Sequence, residues 1–165
     1  MKHSQTLHEQ LIPMLVSGIG AESYLEMGTH KNQTISKVNC EKRTGVDMNA
    51  VALNGAIMLN MTTEEFIKGH AAFNAPYDFV FIDADHDFDA IKNDFLGIWP
   101  HVSPEGLVLF HDSNPATTAD TKHEACSDSW RFAQFLVWKG YECLTLPYHP
   151  GLTITRKRTL WGPVS

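Results

Sequence analysis

The chain of 165 residues, 43% hydrophobic and 19% charged, is long enough for one folded domain with its own core and too short for two ordinary ones. Its formal charge of −6 at pH 7 argues against a nucleic-acid backbone as the main partner, because phosphate binding needs clustered Lys and Arg. No apolar run approaches the roughly 20 residues that span a bilayer, and the opening Met1-Lys2-His3-Ser4-Gln5 has no apolar signal core, so a cytoplasmic protein is expected.

Residues 5–16 pattern as an opening helix, with Leu7, Leu11, Ile12 and Leu15 on one side. Residues 24–28 read as a short strand running into a turn, residues 44–47 as a second strand and residues 56–61 as a third. Thr62-Thr63-Glu64-Glu65 fits a capping box, in which a hydroxyl and the Glu three residues later satisfy each other's orphan amides. Phe66 and Ile67 then supply the buried side of a helix that ends before Pro76. Residues 77–82, with four consecutive apolar side chains, predict a strand covered on both faces, as in a parallel sheet. Phe88, Ile91, Phe95 and Ile98 follow at helical spacing, with Asp85 or Asp87 placed to cap them. Pro104-Glu105-Gly106 predicts a turn, and residues 107–110 another two-sided strand. Ser127 or Asp128 can cap a last helix through about Lys139, ended by Gly140. Residues 141–146 and 152–155 close the chain as a strand pair, and Arg156-Lys157-Arg158 reads as a solvated strand end.

This alternation predicts one doubly wound α/β domain over residues 1–165, with right-handed crossovers. Ligands of such sheets bind outside the carboxyl ends of the strands, near the point where strand order reverses. The residues after each strand are therefore the candidates for function.

Gly28 is followed by His30 and Gln33 where a dinucleotide loop would repeat glycine. A single glycine turn without phosphate-cradling residues suits a nucleoside ligand, and equally a plain strand-to-helix turn. Asn32 tolerates a left-handed backbone there. Asp47 ends the second strand, where it can accept both hydroxyls of a ribose or cap the next helix. Asp83-Ala84-Asp85-His86 and His111-Asp112-Ser113-Asn114 follow two strongly buried strands. Asp83 and Asp112, with His111 or Asn114 nearby, could hold a hard divalent ion such as Mg²⁺. Asp85, His86 or His111 could instead take a proton from a hydroxyl, and helix capping is the plainer role for the aspartates.

Cys40, Cys126 and Cys143 have neither zinc spacing nor a disulfide framework and read as reduced structural thiols. His3, His8, His70, His101, His123 and His149 show no ligand spacing, and Trp99, Trp130, Trp138 and Trp161 read as core or edge packing.

The order Tyr24-Leu25-Glu26-Met27-Gly28-Thr29, Gly45-Val46-Asp47, Met61-Thr62-Thr63-Glu64-Glu65-Phe66, Tyr77-Asp78-Phe79-Val80-Phe81-Ile82-Asp83-Ala84-Asp85-His86 and Gly106-Leu107-Val108-Leu109-Phe110-His111-Asp112 resembles the class I S-adenosylmethionine-dependent methyltransferases. Within them it is most similar to the small O-methyltransferase-like group of glycan and natural-product pathways. The resemblance runs from about residue 23 to residue 156. It implies a Rossmann-like, seven-stranded, mostly parallel sheet with helices on both faces and an antiparallel last strand. It also implies methyl transfer from S-adenosylmethionine to a hydroxyl of a small molecule or sugar. By position, Glu26 and Gly28 line the methionine end of the cofactor, with Thr29 of the same loop counted among its contacts. Asp47 holds the ribose, Met61, Thr62 and Thr63 border the adenine, and Asp83 lies near the reacting centre. Asp83 and Asp112 match the metal positions of metal-dependent relatives, with His111 where another acidic ligand is often found. Asp85 or His86 is then the base, with Mg²⁺ optional. A non-catalytic cofactor-binding or scaffold protein of the same fold is the main alternative. A nicotinamide oxidoreductase and a metal-dependent enzyme of another reaction type are two more. A short chain with an incomplete acceptor pocket is also compatible with a homo-oligomer that lends a wall.

Overall fold

A computed structural model describes residues 6–123 and 125–158. Met1–Gln5, His3 among them, and Trp161 lie outside the described residues. The elements run in the order α1 (Leu7–Gly18), β1 (Ser23–Met27), a 3-10 turn (Ile35–Lys37), β2 (Lys42–Asp47), β3 (Ile57–Asn60), α2 (Thr63–Gly69), β4 (Tyr77–Ile82), α3 (Phe88–Ile98), a 3-10 turn (Trp99–His101), β5 (Val102–His111), α4 (Ser129–Trp138), β6 (Glu142–Leu146) and β7 (Leu152–Arg156). They build one seven-stranded sheet of order β3-β2-β1-β4-β5-β7-β6. All pairings are parallel except those of β7, which runs against both β5 and β6. Strand order reverses between β1 and β4, so the crevice outside their carboxyl ends is the expected binding place.

Each layer follows from alternation along buried strands. On one face α2, α3 and α4 set Phe66, Ile91, Phe95, Phe132 and Leu136 against Val80, Ile82, Val108 and Phe110. On the other, Ile12 and Val16 of α1 pack with Ile35 and Val38 on Tyr24, Phe79, Phe81, Leu109 and Leu152. Leu7, expected on the buried side of α1, is 47% exposed; it starts the helix, and at five residues before Ile12 it falls off the stripe that Ile12 and Val16 define. The crossovers after β1 and β2 carry a single 3-10 turn and no α-helix, so α1 covers that face in their place.

The capping box forms as expected. Thr62 accepts from the Glu65 amide while the Glu65 carboxylate accepts from Thr62. The cap of α3 comes from an unexpected residue. Asp87 stands at the cap position of α3, but its carboxylate accepts from Ser127 Oγ at 2.6 Å. The Phe88 amide instead donates to Asp128 Oδ1 at 2.6 Å. Asp128, expected to cap α4, thus caps α3, because the two helices pack side by side and their first turns share one donor–acceptor set. Asp85 turns back to accept from the Asp87 amide.

The predicted turn at Pro104-Glu105-Gly106 lies inside β5. Glu105 adopts φ 64°, its amide donates to Lys157 O at 2.6 Å, and the pairing with β4 shifts register between Tyr77 and Phe79. The turn residues create a bulge, and the ladder resumes beyond it. Trp99 stacks on Phe95 with ring centroids 4.8 Å apart, whereas Trp138 is 76% exposed. All three cysteines are free thiols. No helix among the described residues is long and apolar enough to cross a membrane.

Candidate active site

Gly28 leaves β1 with φ 90°, and a Cβ there would lie 2.3 Å from the carbonyl oxygen of Asp83. Only glycine permits this approach, so the turns after β1 and β4 sit in direct backbone contact. Beyond it His30 (φ 46°) and Asn32 (φ 59°) are both left-handed, and Asn32 Nδ2 donates to Val51 O at 2.9 Å. Asp47 holds this loop to the end of β2: its carboxylate accepts from the amides of Thr29 (3.0 Å), His30 (2.8 Å) and Asn49 (2.8 Å).

A cavity of about 1260 Å³ opens over these strand ends. Gly28, Asp47, Met61, Thr62 and Thr63 line it where β1, β2 and β3 end, and Asp83, Asp85, His86, His111 and Asp112 where β4 and β5 end. Two residues expected at the site do not reach its wall. Glu26 is 2% exposed and accepts from the Tyr24 hydroxyl at 2.5 Å, and burial pushes its carboxyl well above the usual range. Thr29 is buried as well. Strand alternation turns Glu26 toward the α1 face, away from the loop.

Where β4 and β5 end, four side chains from the turns that follow them converge. His86 Nε2 lies 3.0 Å from Asp112 Oδ2 and 3.8 Å from Asp83 Oδ1, and its Nδ1–H donates to Ala125 O at 2.8 Å. His111 Nδ1 lies 3.2 Å from Asp83 and 3.3 Å from Asp112. The carboxylates of Asp112 and Asp83 lift the pKa of His86 to about 11, against burial. Burial also disfavours charge on His111, yet Asp112 and Asp83 outweigh it and raise its pKa to about 9. Burial works against the Asp112 carboxylate, but hydrogen bonds from His111 and His86 hold it well below the ordinary range. Two carboxylates and two imidazolium rings thus balance one another in a half-buried site, which avoids the cost of an unpaired buried charge.

The family model described as a methyltransferase domain matches residues 21–113, more than half of the chain. The chain belongs to the class I S-adenosylmethionine-dependent methyltransferase family. Its fold is that of solved O-methyltransferases. The O-methyltransferase from Bacillus cereus in complex with S-adenosylhomocysteine superposes with a TM-score of 0.69 at 13% identity, covering 96% of this chain and 84% of the other. A caffeoyl-CoA O-methyltransferase candidate from Staphylococcus aureus gives 0.71 at 18% identity, covering 94% and 85%. The MycE methyltransferase of the mycinamycin biosynthetic pathway, solved with Mg and S-adenosylhomocysteine, gives 0.63 at 16% identity, covering 87% of this chain and 47% of its own. The chain therefore spans about half the length of MycE. No curated protein matches it in sequence.

In this methyltransferase domain two wall residues escaped the sequence reading. His8 of α1 is 8% exposed, and its Nδ1 lies 2.9 Å from His111 Nε2. Its signal was present: His8 precedes Ile12 by four residues, which puts both on one helix face. Asp94 of α3 lines the cavity and is buried, and burial raises its pKa to about 6. It stands three residues after Ile91 and four before Ile98, on the apolar stripe, where a carboxylate is conspicuous.

Proposed function

We propose that the chain transfers the methyl group of S-adenosylmethionine to a hydroxyl of a small molecule or sugar, with a divalent cation assisting at Asp83 and Asp112. The observation that carries this reading is one continuous cavity joining the Gly28–Asp47–Met61 strand ends to the Asp83–His86–His111–Asp112 cluster. The wall fits the cofactor electrostatically. Glu9, Asp47, Glu64, Asp83, Asp85, Asp94 and Asp112 line it against Lys68 and the protonated rings of His86 and His111, with no arginine among the described lining residues, so carboxylates stay in excess. Such a wall attracts a cationic sulfonium and repels the pyrophosphate of a dinucleotide, which weighs against a nicotinamide cofactor.

The sulfonium supplies an activated methyl, so the protein's work is alignment and proton removal. Gly28 lets the cofactor approach the backbone, Asp47 keeps carboxylate lone pairs available for ribose hydroxyls, and Met61, Thr62 and Thr63 border the adenine. Well-oriented placement of acceptor and methyl is worth about 7–11 kcal/mol. With no ion bound, His86, with both ring nitrogens engaged and a pKa near 11, holds its proton and orients the carboxylates. Asp85 has one oxygen engaged, by the Asp87 amide, and lines the cavity; it is the favoured base. A cation between Asp83 and Asp112 would lower the pKa of the acceptor hydroxyl.

Calorimetric titration with S-adenosylmethionine and S-adenosylhomocysteine, in chelator and then with added cation, tests the reading. Saturation near one per chain is expected, followed by turnover on a hydroxyl-bearing acceptor panel. Binding without turnover on any acceptor favours the scaffold alternative, and no binding removes the methyltransferase reading.

A further inference from the structure

The donor set at the reacting end is not one that suits Mg²⁺. One oxygen of Asp83, one of Asp112 and a nitrogen of His86 all lie within 4.8 Å of one another, a spacing that a single ion can close. Mg²⁺ demands near-octahedral oxygen ligands and gives up its water reluctantly, whereas imidazole suits transition dications. The bond from His86 Nδ1–H to Ala125 O, at 2.8 Å, leaves Nε2 as the nitrogen facing the two carboxylates. A carbonyl behind the distal ring nitrogen is how metal-binding histidines are commonly oriented. His111, expected as a ligand, contacts the same two carboxylates through Nδ1 while its Nε2 is committed to His8. It backs the carboxylates, and His86 completes the trio.

We propose that Asp83, His86 and Asp112 form a mixed nitrogen–oxygen site that selects a first-row transition dication such as Mn²⁺, Co²⁺ or Zn²⁺ over Mg²⁺, with His86 as the discriminating ligand. This rests on the cation-assisted form of the reading above. Mn²⁺ outcompetes Mg²⁺ at many sites, so the deciding quantities are the nitrogen contact and its dependence on residue 86.

The experiment is Mn²⁺ titration of the purified protein followed by electron paramagnetic resonance, with Mg²⁺ as competitor, on wild type, His86→Asp and His86→Gln. Wild type is expected to bind one Mn²⁺ with spin-echo modulation from an imidazole nitrogen, and to prefer Mn²⁺ over Mg²⁺ by tenfold or more. His86→Asp, which makes the site all-oxygen, is expected to lose the modulation and to cut the preference at least fivefold. His86→Gln should lose the modulation and weaken Mn²⁺ binding at least tenfold. Bound Mn²⁺ without nitrogen modulation in wild type overturns the proposal whatever the variants do. So does an unchanged Mn²⁺/Mg²⁺ ratio in a folded His86→Asp protein, or no ion binding at all. S-adenosylhomocysteine binding measured in chelator tests the methyltransferase reading separately.

Discussion

His111 Nε2–H donates to Nδ1 of His8 across 2.9 Å, with the rings 4.1 Å apart and 67° inclined. The bond ties the first turn of α1 to the last residue of β5, and through His111 to both aspartates. Burial and the positive His111 ring hold the pKa of His8 below 6.5, so it accepts as a neutral ring. His8→Ala leaves a buried N–H unpaired, which costs about 1–3 kcal/mol. Urea unfolding should register that loss, and an unchanged midpoint would mean that water replaces the ring.

Gly28→Ala would place a methyl 2.3 Å from the Asp83 carbonyl, at φ 90°. The clash is with backbone, so β1 and β4 must separate at the site. S-adenosylhomocysteine affinity should fall at least tenfold, and the thermal midpoint should drop with it. Gly18→Ala, where nothing lies within 4 Å, is the control, expected to be neutral or stabilising by about 0.5–1 kcal/mol within a helix.

Asp85→Asn keeps the side chain's size and removes its basicity. Turnover should fall by about 10²–10⁴-fold, the usual worth of a general base, with S-adenosylhomocysteine affinity within twofold of wild type. Full turnover in the variant would move the proton elsewhere.

In chelator, stability should decline as pH rises from about 6.5 to 8.5. His86 and His111 keep their protons in the folded state up to about 11 and 9, while unfolded histidine gives its proton up near 6.5. Above 6.5 the folded state therefore binds more protons than the unfolded one, and stability falls with pH. Their contribution is complete below 6.5 and is lost as pH passes through the folded values. Thiol titration enters only at the top of this window, at about 8.5, and is common to wild type and the histidine variants. Melting curves of His86→Gln and His111→Gln should be flatter across it; equal slopes in all three proteins would refute the assignment.

Much of the fold was readable because parallel strands announce themselves. Residues 77–82 and 107–110 are apolar on both faces, and Thr62 with Glu65 carries its own cap chemistry. The cap of α3 was not readable. Asp87 and Asp128 each precede a helix, and only the side-by-side packing of α3 and α4 decides that Asp128 takes the Phe88 amide and Asp87 the Ser127 hydroxyl. The strand-end rule named Asp83, His86, His111 and Asp112, since turns after adjacent parallel strands must converge. It could not place Glu26, whose direction depends on pleat phase two residues before the turn at Gly28. It was silent on His8, which comes from a helix preceding the first strand.

The two layers of the core are unequally built. Three helices with interlocked aromatic rings cover one face, including Phe132 with Phe95, Phe110 and Phe88. The other relies on α1, which contains Pro13 and fully buries Ile12 and Val16, and on a 3-10 turn tethered to it by the Glu9–Lys37 pair at 2.5 Å. The thinner layer is therefore expected to open first in local unfolding, which amide exchange along α1 checks. Lifting it removes His8 and Glu9 from the cavity while the strand ends stay in place. A ligand that touches His8 should therefore report itself as slowed amide exchange along α1, an element that supplies no strand end to the cavity.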